Sequence, residues 1–344
     1  MASIDIEKLL EPISDEQPCG PNLEYDAEFL NLERIAQGKP EQQMGETIRA
    51  AEPPDFEQVA RQATSLLTRS KDLRAAVLLT RALCHQSGFI GLSDGAGLLA
   101  GLLERFYPTI HPQLDPEEGN DPTMRVTAIA GLCAADVLSV LRSRPLITSR
   151  SFGPVSLRDF AVAAGNVAPL PDAPKLELSS IDGAFQEVDL KVLQTVASAI
   201  EASAKHVAAI EAVFDRETSG QGPELGALID VLRQAQHAVG SRLERRVGAE
   251  SAEPGAAEAG GAEGPRAGEA RGNALSGVIR SREDVVRALD KICEYYAAFE
   301  PSSPLPLLLQ RSKRLVSMSF LDIIRDMAPD GVSQVESIAG KVEG

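Results

Sequence analysis

Apolar residues recur three and four positions apart over most of this chain, the period of helices that bury one face. In "PDFEQVARQATSLLTRSKDL" the stripe Val59, Ala63, Leu66 and Leu67 follows Asp55 and Gln58, spaced as a capping box. The next stretch, "DLRAAVLLTRALCHQSG", is apolar almost all round at Leu73, Ala76, Val77, Leu78, Leu79, Ala82 and Leu83. That pattern predicts a central core helix stopped at Gly88. A third helix is predicted through "DGAGLLAGLLERFY" as far as Pro108, and a fourth from "DPTMRVTAIAGLCAADVLSVLRS", with Asp121 as cap and Pro122 at its first position. Short polar connections predict an antiparallel bundle.

Past Pro145 the period changes. "LITSRSFGPVSLRDF" reads as two short extended runs turning at Phe152-Gly153-Pro154, a small β-hairpin capping the bundle. Two long helices follow, about Leu190 to Phe214 and Glu224 to Arg246, which can pair as a helical hairpin. The stretch 247–274 is rich in Gly, Ala, Glu and Pro with almost nothing large and apolar to bury, and predicts a flexible linker. Beyond it Ser281 and Asp284 are spaced as a capping box ahead of the stripe Val285, Leu289, Ile292 and Tyr296. After Pro301, Pro304 and Pro306 a second helix carries Leu307, Leu308, Leu315, Val316, Met318, Phe320, Leu321 and Ile324. A two-helix unit of roughly 60 residues buries so many large side chains poorly, so self-association through these positions is expected. The predicted class is all-α: a bundle over 1–160, a middle helical region over 161–246, the linker, and a C-terminal oligomerisation domain over 275–344.

Composition narrows the function. Hydrophobic residues make up 43% but aromatics only 4%, with no Trp, so the core must be built from Leu, Ala, Val and Ile. Fifty acidic residues against 34 basic ones leave a net charge of -16, which repels a phosphate backbone and argues against nucleic acid as a partner. The N-terminus is acidic where a secretory signal is basic, and no apolar run looks long enough to span a bilayer, so a cytoplasmic protein without membrane insertion is expected. Cys19, Cys84, Cys133 and Cys293 lack the spacing of a zinc site or a disulfide framework, and no cofactor or metal is implied.

Candidate chemistry is sparse. "GLSDG" matches the G-x-S-x-G nucleophile elbow at Ser93, but a helix and not a strand precedes it, and a helix cap is the better reading. "GAGLLAG" lacks dinucleotide-loop spacing and reads as close helix packing. Cys84 and His85 are neighbours on a helix, about 100° apart, and do not face each other. "HPQLDPEEGNDP" has Val126 where a calcium loop would place its bidentate Glu, and reads as a solvated turn. Cys19, between Pro18 and Gly20, has no basic neighbour in sequence to activate it. A hydrolase using Ser93 or Cys19 and a monomeric helical adaptor are the alternatives to a self-assembling scaffold.

The run that opens at Cys19 has no enzymatic reading. Leu23, Tyr25, Phe29, Leu32 and Ile35 can clamp it onto the bundle, leaving Glu24, Asp26 and Glu28 outward as an acidic surface, so Cys19, Gly20, Leu23, Tyr25, Asp26 and Phe29 are candidates for a structural strap or a recognition site. "PCGPNLEYDAEFLNLERIAQGKPEQQMGE", with "PPDFEQVARQATSLLTRSKDLRAAVLLTRAL", "GLSDGAGLLAGLLERFYPTIHPQLDPEEGNDPTMRVTAI" and "PLITSRSFGPVSLRDF", resembles the ImpA-type N-terminal domain of TssA proteins from bacterial type VI secretion systems. The C-terminal block resembles the short C-terminal domain of one branch of that family. The resemblance implies a non-enzymatic assembly factor at the cytoplasmic baseplate, with a multimeric ring built by the C-terminal helices. It implies partners among baseplate, tail tube and sheath proteins, and favours the baseplate-associated branch.

Overall fold

In the computed structural model, which describes residues 5–39, 42–44, 47–169, 176–218, 220–250, 282–299 and 305–316, aspartates start most of the early helices. Asp5 opens α1 (Ile6–Leu9), Asp26 opens α2 (Ala27–Ala36), Asp55 opens α3 (Phe56–Leu67) and Asp72 opens α4 (Leu73–Ser87), each carboxylate accepting a first-turn backbone N–H. At α3 the expected cap is half present, since Asp55 accepts from both Glu57 and Gln58 N–H. Between α2 and α3 lies a short antiparallel hairpin, β1 (Gln42–Met44) with β2 (Thr47–Arg49), which periodicity does not announce.

Gly88 stops α4 as expected, at φ 60°, but a second helix begins at the very next residue. α5 (Phe89–Phe106) therefore starts earlier than its apolar pattern suggests, and Ser93 lies inside it instead of capping it. Glycines let the two helices approach. A Cβ on Gly91 would stand 2.0 Å from the Leu83 carbonyl oxygen, and one on Gly95 would stand 2.5 Å from the Thr80 hydroxyl. Close packing is thus what the glycines of this region provide.

The segment Thr123–Ser143 has the length and composition of a membrane-crossing helix, with mean hydropathy 1.7, which corrects the reading that no apolar run is long enough. It is not one continuous α-helix. α6 (Thr123–Ala130) gives way to a 3-10 turn at Gly131–Cys133 and to extended backbone at Ala134 before α7 (Ala135–Ser143). Ile129, Leu132, Val137 and Leu141 are fully buried in the core, and the segment packs on α4. α6 starts one residue later than expected, with Pro122 as its N-cap and no side-chain cap bond, while Asp121 accepts from Thr123 N–H at 2.9 Å in the turn before it.

The predicted hairpin is present as β3 (Pro145–Ser149) and β4 (Gly153–Ser156), antiparallel, with Gly153 at φ 77° in the turn. It runs into α8 (Leu157–Ala163), opened by a Ser156/Asp159 capping box, and then α9 (Leu178–Glu187). The two long helices are α10 (Leu190–Thr218) and α11 (Gly226–Glu250), packed on each other. α10 also lies along α5, burying Leu193, Ile200, Val207 and Ile210, so one hydrophobic core runs from Leu9 to Val239. The chain divides into two compact units, Met1–Ala257 and Glu258–Gly344. The middle helices belong to the first. In the second, α12 (Arg282–Phe299) and α13 (Leu305–Leu315) pack on each other, with Lys313 paired to Asp290. Most of the stretch read as a linker, and Ser281, lie outside the described residues.

Candidate interaction surface

Residues 18–29 form a strap across one end of the bundle, held mainly by backbone. The Cys19 carbonyl accepts from Lys71 N–H at 2.8 Å, the Gly20 carbonyl pairs with His111 Nε2 at 3.0 Å, and Ser70 Oγ donates to the Pro21 carbonyl at 2.7 Å. Cys19 Sγ meets Thr109 Oγ1 at 3.3 Å. Gly20 takes φ 68°, a conformation that disfavours any side chain. Leu23 and Phe29 are buried, and the Arg74 guanidinium sits 4.7 Å over the Phe29 ring.

Two details differ from expectation. Tyr25 clamps nothing: it is 88% exposed, at the turn between the Asn22–Glu24 bend and the start of α2. The acids are not a bare negative surface either. Arg69 bonds both Asp26 at 2.8 Å and Glu28 at 2.5 Å, and Arg74 lies 3.6 Å from Glu24. The Arg69 contact holds the Asp26 carboxyl below its usual range, helped by the Glu28 backbone N–H.

The strap's anchors come from "RSKD", a polar run between two apolar helices that would ordinarily be read as a solvated loop. Ser70, Lys71 and Asp72 are instead buried, with Lys71 Nζ donating to the Leu9 and Leu67 carbonyls at 2.7 and 3.0 Å. Arg125 is fully buried as well. It donates to the carbonyls of Tyr107, Ile110 and Pro112 at 2.6, 2.8 and 2.7 Å, tying together the loop after α5. Nothing in their spacing marks Lys71 or Arg125 as interior.

A profile of the family described as "ImpA, N-terminal, type VI secretion system" matches residues 10–134, the segment that holds the strap and its anchors. The chain is also 43% identical, over 98% of both proteins, to the type VI secretion system component TssA1 of Pseudomonas aeruginosa. This chain belongs to the TssA family of type VI secretion system components. Its fold is similar to the solved N-terminal domain, including the conserved ImpA_N region, of the TssA component from Burkholderia cenocepacia. That likeness has a TM-score of 0.57 at 25% identity and covers 72% of this chain and 96% of that one.

Within this TssA-family fold the nucleophile candidates are not brought to partners. Burial pushes the Cys19 thiol up, against the hydrogen bond from Thr109 and the charges of Lys71 and Arg125. Burial raises Cys84 to about 12. His85 turns away from Cys84, stacking on Phe56 with ring centroids 3.7 Å apart and meeting Asp136 at 3.3 Å. Ser93 sits in the second turn of α5, without the strand-to-helix turn that exposes a hydrolase nucleophile. In the acidic loop Asp115 caps a short helical turn and Asp121 accepts from Thr123 N–H, and among the described residues no group of His, Cys, Asp and Glu is placed to hold a metal.

Of the C-terminal candidates, Leu308 is 61% exposed and Ile292 43% exposed, with Leu305 beside them in exposure, while Leu289 and Leu315 are half-buried. The side chains of Tyr296 and Leu307, and all of Met318, Phe320, Leu321 and Ile324, lie outside the described residues.

Proposed function

We propose that this TssA-family protein is a non-enzymatic scaffold that self-assembles through its C-terminal helices at the cytoplasmic baseplate of a type VI secretion system. Each copy then contributes its Met1–Ala257 unit as a binding arm for baseplate, tail tube or sheath proteins, and helps to prime tube and sheath polymerisation. The observation that carries the reading is the apolar exposure of a small second unit. Among the described residues of that unit, Ile292 on α12 and Leu308 on α13 are exposed apolar side chains, and a symmetric oligomer covers such residues without a larger fold. Gathering many arms in one particle multiplies weak contacts, so each arm needs little affinity of its own.

The test is light scattering after size exclusion on the full chain and on separate Met1–Ala257 and Glu258–Gly344 fragments. Oligomers of the full chain and of the second fragment, with a monomeric first fragment, are the expected result. Monomers throughout would remove the scaffold and leave a monomeric adaptor. An oligomer formed by the first fragment alone would move the interface to the bundle.

A further inference from the structure

Of the apolar residues that mark α4 as a core helix, Leu78 alone stays half-buried, while the other six are buried. Leu78 lines a cleft of about 590 Å³ that runs over α4 between α2 on one side and α6 with its 3-10 turn on the other. Ala36 and Ala128, half-buried as well, stand on the two walls. Gly131 brings bare backbone down to the floor, since a Cβ there would stand 3.1 Å from Val77 Cγ1. The break between α6 and α7 thus shapes one wall, and the cleft is apolar at its base.

The charges around that base are unequal. Arg74, Val77, Leu78 and Arg81 recur three and four apart, so one stripe of α4 lies along the cleft with a cation at either end. Both cations are answered from within the fold: Arg74 bonds the two oxygens of Asp72 at 3.1 and 2.8 Å, and Arg81 bonds Asp136 at 3.0 Å. Glu33, on the α2 wall, feels the charge of Arg74 but bonds no cation among the described residues. It belongs to the stretch 1–50, which holds eleven acidic residues against four basic ones. The charge left open beside the apolar base is therefore negative.

We propose that this cleft receives the apolar face of a basic amphipathic helix from a partner protein. Such a helix sets apolar side chains one turn apart onto Leu78 and its neighbours, and the volume takes about two or three of them. Its lysines or arginines then lie along the α2 wall beside Glu33, and the net charge of -16 on the chain draws them in. An acidic helix gains less, because Arg74 and Arg81 already have their carboxylates. The proposal names a partner chemistry for the arm and rests on the scaffold reading only for that partner's place in the secretion machinery. Self-assembly is not needed for it, and its test reads peptide affinity where the scaffold test reads particle mass.

Fluorescence anisotropy of the full chain with the labelled peptide acetyl-AKLAKLLAKLAKA-amide tests it. The comparisons are the same peptide with glutamates for lysines, and a peptide of the same composition whose leucines are spread around the helix. The first peptide is expected to bind one site per chain, about tenfold or more tighter than either comparison. Ala128→Lys fills the cleft and Glu33→Lys reverses its rim, and each should weaken binding about tenfold with little change in melting temperature. Glu201→Lys makes the same change of charge on α10, outside the cleft lining, and should leave affinity within about twofold. No binding, equal binding of either comparison peptide, full affinity in either cleft variant, or an equal loss in the Glu201 variant would each overturn the proposal. An Ala128 variant that changed particle mass while keeping its peptide affinity would give the cleft to a second copy and overturn it too.

Discussion

The carbonyl oxygen of Arg69 occupies the space in which a side chain on residue 20 would begin: a Cβ on Gly20 would stand 2.3 Å away from it. The strap and the α3–α4 turn are therefore in backbone contact. Gly20 also sits at φ 68°, so strain and overlap coincide. Gly20→Ala is expected to destabilise the first unit by about 2–4 kcal/mol, read by urea unfolding. Gly153→Ala is the comparison, because Gly153 shares the positive φ but has nothing within 4 Å of its Cβ position. It should cost only about 1 kcal/mol. Equal losses would mean that backbone strain alone governs residue 20. A Gly20 variant with a displaced strap should also expose Cys19 to thiol reagents.

Arg125 is a buried cation whose partners are carbonyl dipoles of one loop. Truncation to Met removes the charge but strands the carbonyls of Tyr107, Ile110 and Pro112. A loss of about 3–5 kcal/mol is expected. Arg125→Lys should recover little, since a single ammonium cannot reproduce the forked geometry. Thermal unfolding of the two variants measures both. Near-complete rescue by Lys would show that charge, not shape, matters there.

His85 makes stability depend on pH. Burial holds its imidazole below the ordinary value, against the Asp136 contact that pulls it upward, and His206 is likewise lowered by burial. In the unfolded chain histidine takes up its proton near pH 6.5, whereas the folded chain does so only at lower pH. The unfolded state thus binds more protons between these values, and the stabilisation present above about pH 6.5 is lost as pH falls through the native value. The melting temperature should drop between pH 7 and 5.5, and His85→Gln should flatten part of that drop. Asp136, which burial raises but Arg81 and His85 together hold below its usual range, titrates only in more acidic solution. An unchanged slope in the His85 variant would assign the effect elsewhere.

Leu308 and Ile292 test the assembly interface. Single Asp substitutions place a charge on each exposed apolar position, and the particle mass measured by light scattering should fall toward that of one chain. Thermal unfolding of the Met1–Ala257 unit should stay within about 0.5 kcal/mol of the parent.

Tyr25 offers a different separation. At 88% exposure its side chain contributes little to the fold, so Tyr25→Ala should also leave stability within about 0.5 kcal/mol. An exposed, rigidly framed tyrosine is a common centre of binding energy. Capture of type VI machinery proteins by the full chain is expected to weaken at least severalfold in this variant. Undiminished capture would confine the strap to a structural part.

Where local chemistry decides conformation, the chain is readable without its structure. Asp55 begins a helix because a short carboxylate reaches first-turn N–H groups, and Gly88 ends one because it alone tolerates the conformation there. The Gly153 turn is legible for the same reason. Less is legible where long-range packing decides. The break at 131–134 falls inside an apolar run that looks continuous, and Tyr25 shares the spacing of buried Leu23 and Phe29 while pointing to solvent. Lys71 goes inward because the Leu9 and Leu67 carbonyls meet its ammonium, and Arg125 because the loop after α5 turns three carbonyls onto it, causes no spacing reveals. The anchors of the strap were hidden by the same fact, since Thr109 and His111 lie 90 and 91 residues beyond their partners.

That separation has a bearing on how the protein is made. The strap leaves the ribosome before its anchors: Thr109 and His111 follow about 90 residues later, roughly 5–20 s at ordinary rates of synthesis. During that interval Leu23 and Phe29 have no finished surface to settle on and are open to chaperones or proteases. The newborn chain therefore carries a timer in its strap: protection of the strap marks the moment when the loop after α5 has been translated and folded. Nascent chains stalled on either side of His111 and probed by brief proteolysis would show the strap cut in the shorter and shielded in the longer.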